Sequence, residues 1–454
     1  MPRLWAAQAL LPSGWARNVL VEIDETGRVA RVSPEAPPAG YRTGILLPAP
    51  VNAHSHAFQR AMAGLTETRG PDPRDTFWTW RQLMYRFLDR LTPEQVQAIA
   101  ALVQMEMLEA GYSTNVEFHY LHHQPGGVPY DDPAEMAQRI AAAAQETGIG
   151  LTLLPVQYEF GGVDRRPLGH GQVRFGNDPD QFARLVDACG VALRGLQSDA
   201  RLGVAPHSIR AVTPEAIAGA ASLALGGPIH MHLAEQQAEV DEVHAAYGAR
   251  PVEWLLGHVD ISTQWCLIHC TQMRPEETRA LARTGAVAGL CPITESNLGD
   301  GIFDGLRWMD AQGRVAIGSD SNVRISLAEE LRTLEYSQRL RDHSRAAFAT
   351  PSQSTGRRLL EAVAAGGAQA AGRESGQIAP GQFADLMALD GDHVDLADRS
   401  GDTCLDIWIF AGDDHMVRDV WAAGRHVVQD GRHIARDSIV HAYARAMKPL
   451  RDAL

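Results

Sequence analysis

The chain has 454 residues, of which 45% are hydrophobic, and it carries a formal net charge of -14 with a sequence pI near 5.7. This length favours one large domain together with a smaller one. The acidic balance argues against a nucleic-acid-binding or anionic-membrane surface, since both need a basic face, and it leaves a small molecule as the expected ligand.

The cysteines and the first residues bear on cellular location. The five cysteines are an odd number without a C-x-x-C pair, so the sequence favours neither a disulfide framework nor a zinc ribbon. The opening MPRLWAAQALLPSGW lacks a basic segment and continues into strand-like sequence, so no signal peptide is expected. No apolar run approaches the length of a membrane span. We therefore expect a cytoplasmic protein.

Both ends of the chain are rich in short β-type runs. Near the start, NVLVEID and VARVSP are joined by the turn ETGR. Near the end, FADLMALD, DIWIFAG and VRDVWAAGRHVVQDGRHI are β-type runs with glycine-containing turns. We expect residues 1–47 and 375–454 to pair into one small β-sandwich domain, with residues 48–374 inserted between its halves.

The central segment alternates short apolar runs with helical patterns, which is typical of βα units. Helix starts are indicated by Thr92 and Thr213, each followed by Pro and Glu, and Gly111 is a candidate helix stop. Eight such runs predict an α/β protein with a (β/α)₈ TIM-type barrel. The runs are ILLPAPVNAHSH, TNVEFHY, GLTLLPVQYE, RLGVAPHS, PIHMHLAE, QWCLIHCT, AVAGLCPIT and RVAIGSDS.

Polar side chains gather at the ends of these runs, on the face where barrel enzymes place their active sites. His54 and His56 end the first run, and side chains two apart on a strand point to the same side. The fifth run ends in His232, the sixth in His269 and the eighth in Asp320. Imidazole and carboxylate groups suit a divalent ion, and this set accepts zinc, iron or manganese.

Other titratable residues near the ends of these runs are expected to have roles other than metal binding. Glu235 follows His232 by three residues, where a general acid or base is wanted. His230 lies one pleat deeper than His232, so we expect a hydrogen-bonded core residue that does not bind metal. The loop histidines His119, His122 and His123 either touch substrate or face solvent, and the sequence does not assign them.

The segments HSHAFQR, HMHLAEQ, CLIHCT and AIGSDSN resemble the amidohydrolase superfamily in its mononuclear deaminase branch, over nearly the whole chain. The resemblance implies one divalent metal, with zinc favoured. Its ligands would be His54, His56, His232 and Asp320. Dinuclear branches commonly bridge two metals with a carboxylated lysine from the barrel. Lys448 is the only lysine among the 41 Lys and Arg residues, so a single metal is expected.

Further segments are similar to enzymes of this branch that hydrolyse N-formimino-L-glutamate to N-formyl-L-glutamate and ammonia in bacterial histidine degradation. These are AHSHAFQRAMAG, DTFWTWRQLMY, EFHYLHH and VAPHSIRAV. Arginine binds carboxylates bidentately and stays charged, which suits this dicarboxylate substrate. By this resemblance five residues line the substrate pocket: Gln59, Arg81, Tyr120, His207 and Arg210.

The resemblance also implies a mechanism, in which a metal-activated water attacks the amidine carbon. Glu235 would take the proton of that water and pass it to the leaving nitrogen, while His269 steadies the nucleophile and Asp320 orients it. A homodimer is expected from the family. Two alternatives stay open: a purine- or triazine-type aminohydrolase of the same branch, whose pocket should offer amide and aromatic partners to a ring, and a non-catalytic barrel scaffold. Retention of all the ligands and Glu235 disfavours the scaffold.

Overall fold

A computed structural model describes residues 1–65, 67 and 77–451, and the side chains of residues 77–79, 81–83 and 451 lie outside that description. The strands are β1 (Arg3–Leu11), β2 (Gly14–Ile23), β3 (Val29–Ser33), β4 (Tyr41–Pro48), β5 (Val51–Ser55), β6 (Thr114–His119), β7 (Gly150–Gln157), β8 (Arg201–Leu202), β9 (Ala205–Pro206), β10 (Ile229–Leu233), β11 (Trp265–His269), β12 (Val287–Leu290), β13 (Arg314–Ile317), β14 (Leu386–Leu389), β15 (Val417–Ala422), β16 (Arg425–Gln429) and β17 (Arg432–His433).

The helices are α1 (Phe77–Leu88), α2 (Pro93–Glu109), α3 (Glu135–Thr147), α4 (Pro179–Leu193), α5 (Pro214–Leu223), α6 (Gln237–Tyr247), α7 (Pro251–His258), α8 (Pro275–Ala282), α9 (Pro292–Leu298), α10 (Gly305–Asp310), α11 (Leu327–Asp342), α12 (Thr355–Ala370), α13 (Asp402–Phe410) and α14 (Arg436–Arg451). Short 3₁₀ segments cover Ala57–Met62, Pro125–Gly127 and Asp414–Met416. Within the described ranges, no helix combines the length and the apolar character that crossing a membrane requires.

Strands from both ends of the chain form one mixed sheet, in the order β17-β16-β15-β14-β4-β1-β2-β3. Its centre joins the two ends, because β4 runs parallel to β1 and antiparallel to β14. The expectation that the two ends share a separate sheet is confirmed. The second layer of a sandwich, and the domain limits at residues 47 and 375, stay predictions.

Two expected runs differ from the structure. The segment DIWIFAG belongs to helix α13 and is not a strand. The helix begins after Gly401, and it buries Leu405, Trp408 and Ile409 on one face with helical spacing. The run ILLPAPVNAHSH is two strands in different sheets, since β4 ends at Pro48 and β5 begins at Val51. Proline lacks the N–H that a continuous strand would donate at this point.

The second sheet carries the site. Its strands are parallel in the order β10-β11-β12-β13-β5-β6-β7-β8, and β9 pairs with β7. The Val204–Ile229 bridge then brings the end of this sheet to β10, where it began. All eight predicted runs contribute to it, and its curl is consistent with a TIM-type barrel. The carboxyl ends of all its strands therefore face the same side.

Helix starts follow the sequence signals. Thr92 caps α2 with a capping box to Gln95, and Thr213 caps α5 by accepting from the Ala216 amide. Each helix then opens with proline, whose missing N–H costs nothing at this position. Gly111 has φ +102° and follows the last residues of α2, as expected for a stop. These caps fix the lengths of the connections that bring each strand end to the same face.

A buried ion-pair network ties the terminal sheet to the parallel sheet. The fully buried Arg373 donates from Nε to Asp385 Oδ2 at 2.6 Å and from NH2 to Asp199 Oδ2 at 2.9 Å. Arg425 of β16 donates from NH2 to Asp199 Oδ2 at 2.8 Å. Burial raises the pKa of Asp199, but its bonds to Arg425 and Arg373 outweigh burial and hold that pKa below its usual value.

Candidate active site

The first and last strands of the parallel sheet in chain order, β5 and β13, meet beneath the site. The His56 amide donates to the Asp320 carbonyl at 3.0 Å, and the Asp320 amide donates to the His54 carbonyl at 2.9 Å. A Cβ on Gly318 would lie 2.6 Å from the His54 amide nitrogen, so only glycine permits this approach in AIGSDSN. Asp320 has φ +47° and His269 φ +71°, which are strained conformations for residues other than glycine.

Three histidines and one aspartate converge at this end of the sheet. His54 Nε2 lies 3.2 Å from His232 Nε2 and 3.5 Å from Asp320 Oδ1. His56 Nε2 lies 3.4 Å from the same Asp320 oxygen. One ligand atom each from His54, His56 and His232 lies within 4.8 Å of the others, and the same holds for His54, His269 and Asp320. These are ligand types that divalent first-row metals accept.

The ring orientations leave nitrogen lone pairs facing inward. His56 Nδ1 lies 3.1 Å from the Phe118 carbonyl and His232 Nδ1 lies 3.2 Å from the His207 carbonyl, so protonated Nδ1 atoms donate outward. Nε2 of each ring is then free to bind an ion, a tautomer choice usual for metal-binding histidines. His54 Nε2 lies 3.2 Å from His232 Nε2, so one cation can lie within reach of both nitrogens. The side chains therefore fit a divalent ion.

Burial also favours neutral imidazoles here. It lowers the pKa of His56 to about 3 and lowers the pKa values of His54 and His232, where neighbouring histidines add to the effect. Burial raises the pKa of Asp320 to about 7 in the absence of a cation, against the opposing field of His269. An uncompensated carboxylate in this position is costly, and a bound cation would offset that cost.

His269 faces the centre of the site between carboxylates. Its Nδ1 lies 3.2 Å from Glu295 Oε1, and its Nε2 lies 3.9 Å from both Glu235 Oε1 and Asp320 Oδ2. Burial lowers the pKa of His269, but Glu235, Glu295 and Asp320 together outweigh burial and raise it to about 10. Glu295, in the first turn of α9, lies against Nδ1, so that Nε2 faces Glu235 and Asp320. Glu295 was not among the residues predicted from the sequence.

Glu235 lies two residues beyond β10, and both its backbone amide and its backbone carbonyl are hydrogen-bonded. Ala234 before it has φ +50°. The Glu235 amide donates to Glu239 Oε2 at 2.9 Å, while Thr271 Oγ1 donates to the Glu235 carbonyl at 2.6 Å. Arg210 NH2 donates to Glu235 Oε2 at 3.2 Å. The only predicted acid/base residue is thus fixed within the site and paired with a predicted substrate-binding arginine.

The site opens into a pocket that encloses about 560 Å³ of space, part of it continuous with solvent. Gln59 Nε2 donates to Tyr120 Oη at 2.8 Å within it. Four of the five predicted substrate residues line this pocket: Gln59, Tyr120, His207 and Arg210. Arg81 belongs to α1, but its side chain lies outside the described residues. Further lining residues were not predicted: Trp80, Met84, Tyr158, Phe175, Thr294, Leu298 and Ser321.

The remaining histidines do not line this pocket. His230 is fully buried, with Nε2 at 2.7 Å from the Ala370 carbonyl, in keeping with the expected core role. His119 and His122 are buried, and His122 Nε2 contacts the Val156 carbonyl at 3.0 Å. His123 Nε2 lies 2.6 Å from the Gly176 carbonyl. The contacts of His230, His122 and His123 are with backbone carbonyls outside the pocket.

Comparisons with known proteins agree with this geometry. The model of the Amidohydrolase family matches residues 45–427, and the model of the Formimidoylglutamate deiminase HutF N-terminal domain matches residues 1–41. A formimidoylglutamate deiminase of Pseudomonas aeruginosa is 48% identical over 458 aligned residues, which cover 100% of both chains.

Solved structures also match this chain over nearly its whole length. The crystal structure of an amidohydrolase from Brucella melitensis is 46% identical with a TM-score of 0.95, covering 99% of this chain and 100% of the other. An adenosine deaminase from Xanthomonas campestris with bound zinc is 22% identical with a TM-score of 0.82, covering 99% and 98%. This second likeness extends to the fold alone.

Proposed function

The chain belongs to the amidohydrolase family, and we propose that it hydrolyses N-formimino-L-glutamate to N-formyl-L-glutamate and ammonia. One observation carries the proposal: the buried guanidinium of Arg210 lies beside Glu235, at the edge of the His54, His232 and Asp320 cluster. A carboxylate-binding group next to a hydrolytic centre suits an anionic amidine. The relative at 48% identity, named formimidoylglutamate deiminase, supports that substrate.

We assign the metal to His54, His56, His232 and Asp320, since their ligand atoms converge. A divalent cation bound there would supply Lewis-acid chemistry, which makes water a stronger nucleophile near neutral pH. The stoichiometry proposed is one ion per chain. Lys448, the only lysine of the sequence, is exposed on α14 and does not lie at a strand end of the barrel.

The chain's own residues then move the proton. Glu235 takes a proton from the attacking water and delivers it to the departing nitrogen, a task that its place between His269 and the pocket supports. His269 donates a hydrogen bond from Nε2 to the nucleophile, and Glu295 keeps its Nδ1 turned away. Asp320 orients the nucleophile. Ammonia leaves once the amidine nitrogen is protonated.

Substrate recognition is assigned to the rest of the pocket. Arg210 and Arg81 bind the two carboxylates, while Gln59, Tyr120 and His207 supply hydrogen bonds along the chain of the substrate. Buried ion pairs need good geometry to repay desolvation, and bidentate arginine provides it. A purine deaminase would not need two arginines, because its substrate ring is neutral.

Finer properties are proposed from the same features. Zinc is the favoured ion, because imidazole and carboxylate ligands in a small buried site suit it. We propose a cytoplasmic homodimer that acts on a small dicarboxylate and binds neither nucleic acid nor membrane, consistent with the net charge of -14. The five cysteines are all free and buried, which is compatible with a reducing compartment.

The direct test is product formation. Purified zinc-loaded protein incubated with N-formimino-L-glutamate should release ammonia and N-formyl-L-glutamate in equal amounts, and chelator-treated protein should release neither. Absence of both products from the metal-loaded protein would refute the proposed function. Release of ammonia from guanine or adenosine instead would establish the ring-deaminase alternative.

A further inference from the structure

We infer that Glu239 is a positioning residue that holds Glu235, the acid/base group, and Arg210, the carboxylate-binding group, in fixed relation to each other. The inference deepens the proposed function and rests on it. Glu239 lies on α6, is fully buried and does not line the pocket. It contacts neither the predicted ligands nor the space that substrate would occupy, so it acts through its two neighbours.

The first contacts are with the backbone that carries Glu235. Glu239 Oε2 accepts from the Glu235 amide at 2.9 Å, and Oε1 accepts from the Ala234 amide at 3.3 Å. The carbonyls of the same two residues accept from Thr271 Oγ1. Because Ala234 has φ +50°, its conformation must be imposed by surrounding bonds. Glu239 supplies two of them.

The position of Glu239 in its helix distinguishes this role from ordinary capping. Glu239 is the third residue of α6, where glutamate commonly reaches back to the amide of the N-cap residue. Here the N-cap residue is Gln236, yet the carboxylate bonds to the amides one and two positions earlier. The side chain is therefore aimed at the end of β10 and the catalytic residue.

The second contact is with the substrate-binding side. Glu239 Oε1 lies 4.0 Å from Arg210 Nε, while Arg210 NH2 donates to Glu235 Oε2 at 3.2 Å. One guanidinium thus faces two buried carboxylates along different edges. When a substrate carboxylate competes with Glu235 for Arg210, Glu239 still attracts the Nε edge. Arg210 can then bind substrate without moving away from the catalytic residue.

The test is a double-mutant cycle of Glu239→Gln and Arg210→Met, assayed with N-formimino-L-glutamate. Glutamine has the same size but turns an amide N–H₂ toward either Arg210 or a backbone N–H, where two donors meet. E239Q should lower kcat and raise KM, with kcat/KM reduced by about 10- to 100-fold, the range typical of residues that orient a site from behind. Asp241→Asn, an exposed change on the same helix, should match wild type.

The cycle separates positioning from a merely structural effect. On the R210M background E239Q should still lower kcat, through Glu235, but should leave KM unchanged because the carboxylate-binding partner is gone. An equal rise in KM on both backgrounds would overturn the inference, as would E239Q kinetics like those of D241N. If E239Q does not fold, Glu239→Asp, which keeps the charge but shortens the side chain, is measured in the same cycle. Failure of the proposed function itself would show earlier, as inactive wild-type protein.

Discussion

His54 Nε2 and His232 Nε2, from the non-adjacent strands β5 and β10 of the parallel sheet, lie 3.2 Å apart. Both rings are buried, and burial lowers both pKa values, which favours the neutral imidazole that metal ions bind. Asp320 adds a carboxylate oxygen 3.5 Å from His54 Nε2. A shared cation accounts for all of these features at once.

The metal prediction concerns one ion per chain. Removing it with a chelator should abolish activity and lower Tm, because an ion that binds only the folded state stabilises it. Elemental analysis of active protein should give one equivalent. His232→Ala should lose the ion, while His415→Ala, whose side chain is 95% exposed, should keep it. Two tightly bound ions per active chain would contradict the single-metal assignment.

Glu235 is predicted to carry the proton. Glu235→Gln should keep the fold and the metal but lower kcat by about 10²- to 10⁴-fold, the usual contribution of a general acid/base group. The amide cannot take a proton from water and return it. Exposed Glu215→Gln serves as the matched control and should leave kcat unchanged. Metal-loaded E235Q within a few-fold of wild type would remove Glu235 from this role.

Arg210 and Arg81 are predicted to bind the substrate carboxylates. Losing one charged partner in a closed pocket costs about 2 to 5 kcal/mol. Arg210→Met and Arg81→Met should therefore each lower kcat/KM by about 30-fold or more. Metal content should not change, and exposed Arg345→Met should behave as wild type. Near-normal kcat/KM in both variants would end the dicarboxylate interpretation while leaving the metal site intact.

The Arg373 network should dominate the junction between the two sheets. Arg373→Met leaves Asp199 and Asp385 as buried carboxylates without this partner, so the free energy of unfolding should fall by about 3 to 5 kcal/mol. Denaturant titration measures this loss, and exposed Arg345→Met is again the control. A change below about 1 kcal/mol, the usual value for a surface ion pair, would mean that the network contributes little.

The pH dependence of Asp199 follows from its lowered pKa. A carboxyl whose folded pKa lies below its unfolded value stabilises the protein above the unfolded value, and this contribution disappears as pH falls through the folded one. Asp199→Asn should therefore lower Tm relative to wild type between pH 5 and pH 7. This difference in Tm should shrink as the pH falls to and below 3.8, the ordinary pKa of an aspartate carboxyl. A difference in Tm that grows toward acid pH would contradict the assigned sign.

Much of the fold and the site could be predicted because parallel barrels place chemistry at strand ends. His232 and His269 are at or next to the last residue of β10 and β11, so a strand prediction also predicts their place. The strand prediction for DIWIFAG was wrong because its apolar run fits a strand or a buried helix equally well, and only packing in the folded chain decides between them. No helix was predicted for the segment that forms α14.

The supporting carboxylates were beyond sequence reasoning. Glu239 and Glu295 lie on helices, and their roles depend on contacts with Glu235 and His269 that arise only when the chain folds. Tyr158 is different. It is next to the last residue of the third predicted run and one residue beyond β7, so the strand-end rule applied to every run would have found it.

The central claim is that this barrel selects a dicarboxylic amidine, and a comparison of kcat/KM values tests it most directly. Metal-loaded protein is assayed for ammonia release from N-formimino-L-glutamate, N-formimino-L-aspartate and guanine under identical conditions. We predict clear preference for N-formimino-L-glutamate, weaker turnover of the shorter N-formimino-L-aspartate, whose carboxylates are one methylene closer together, and no release from guanine. Preference for guanine, with N-formimino-L-glutamate untouched, would contradict the account.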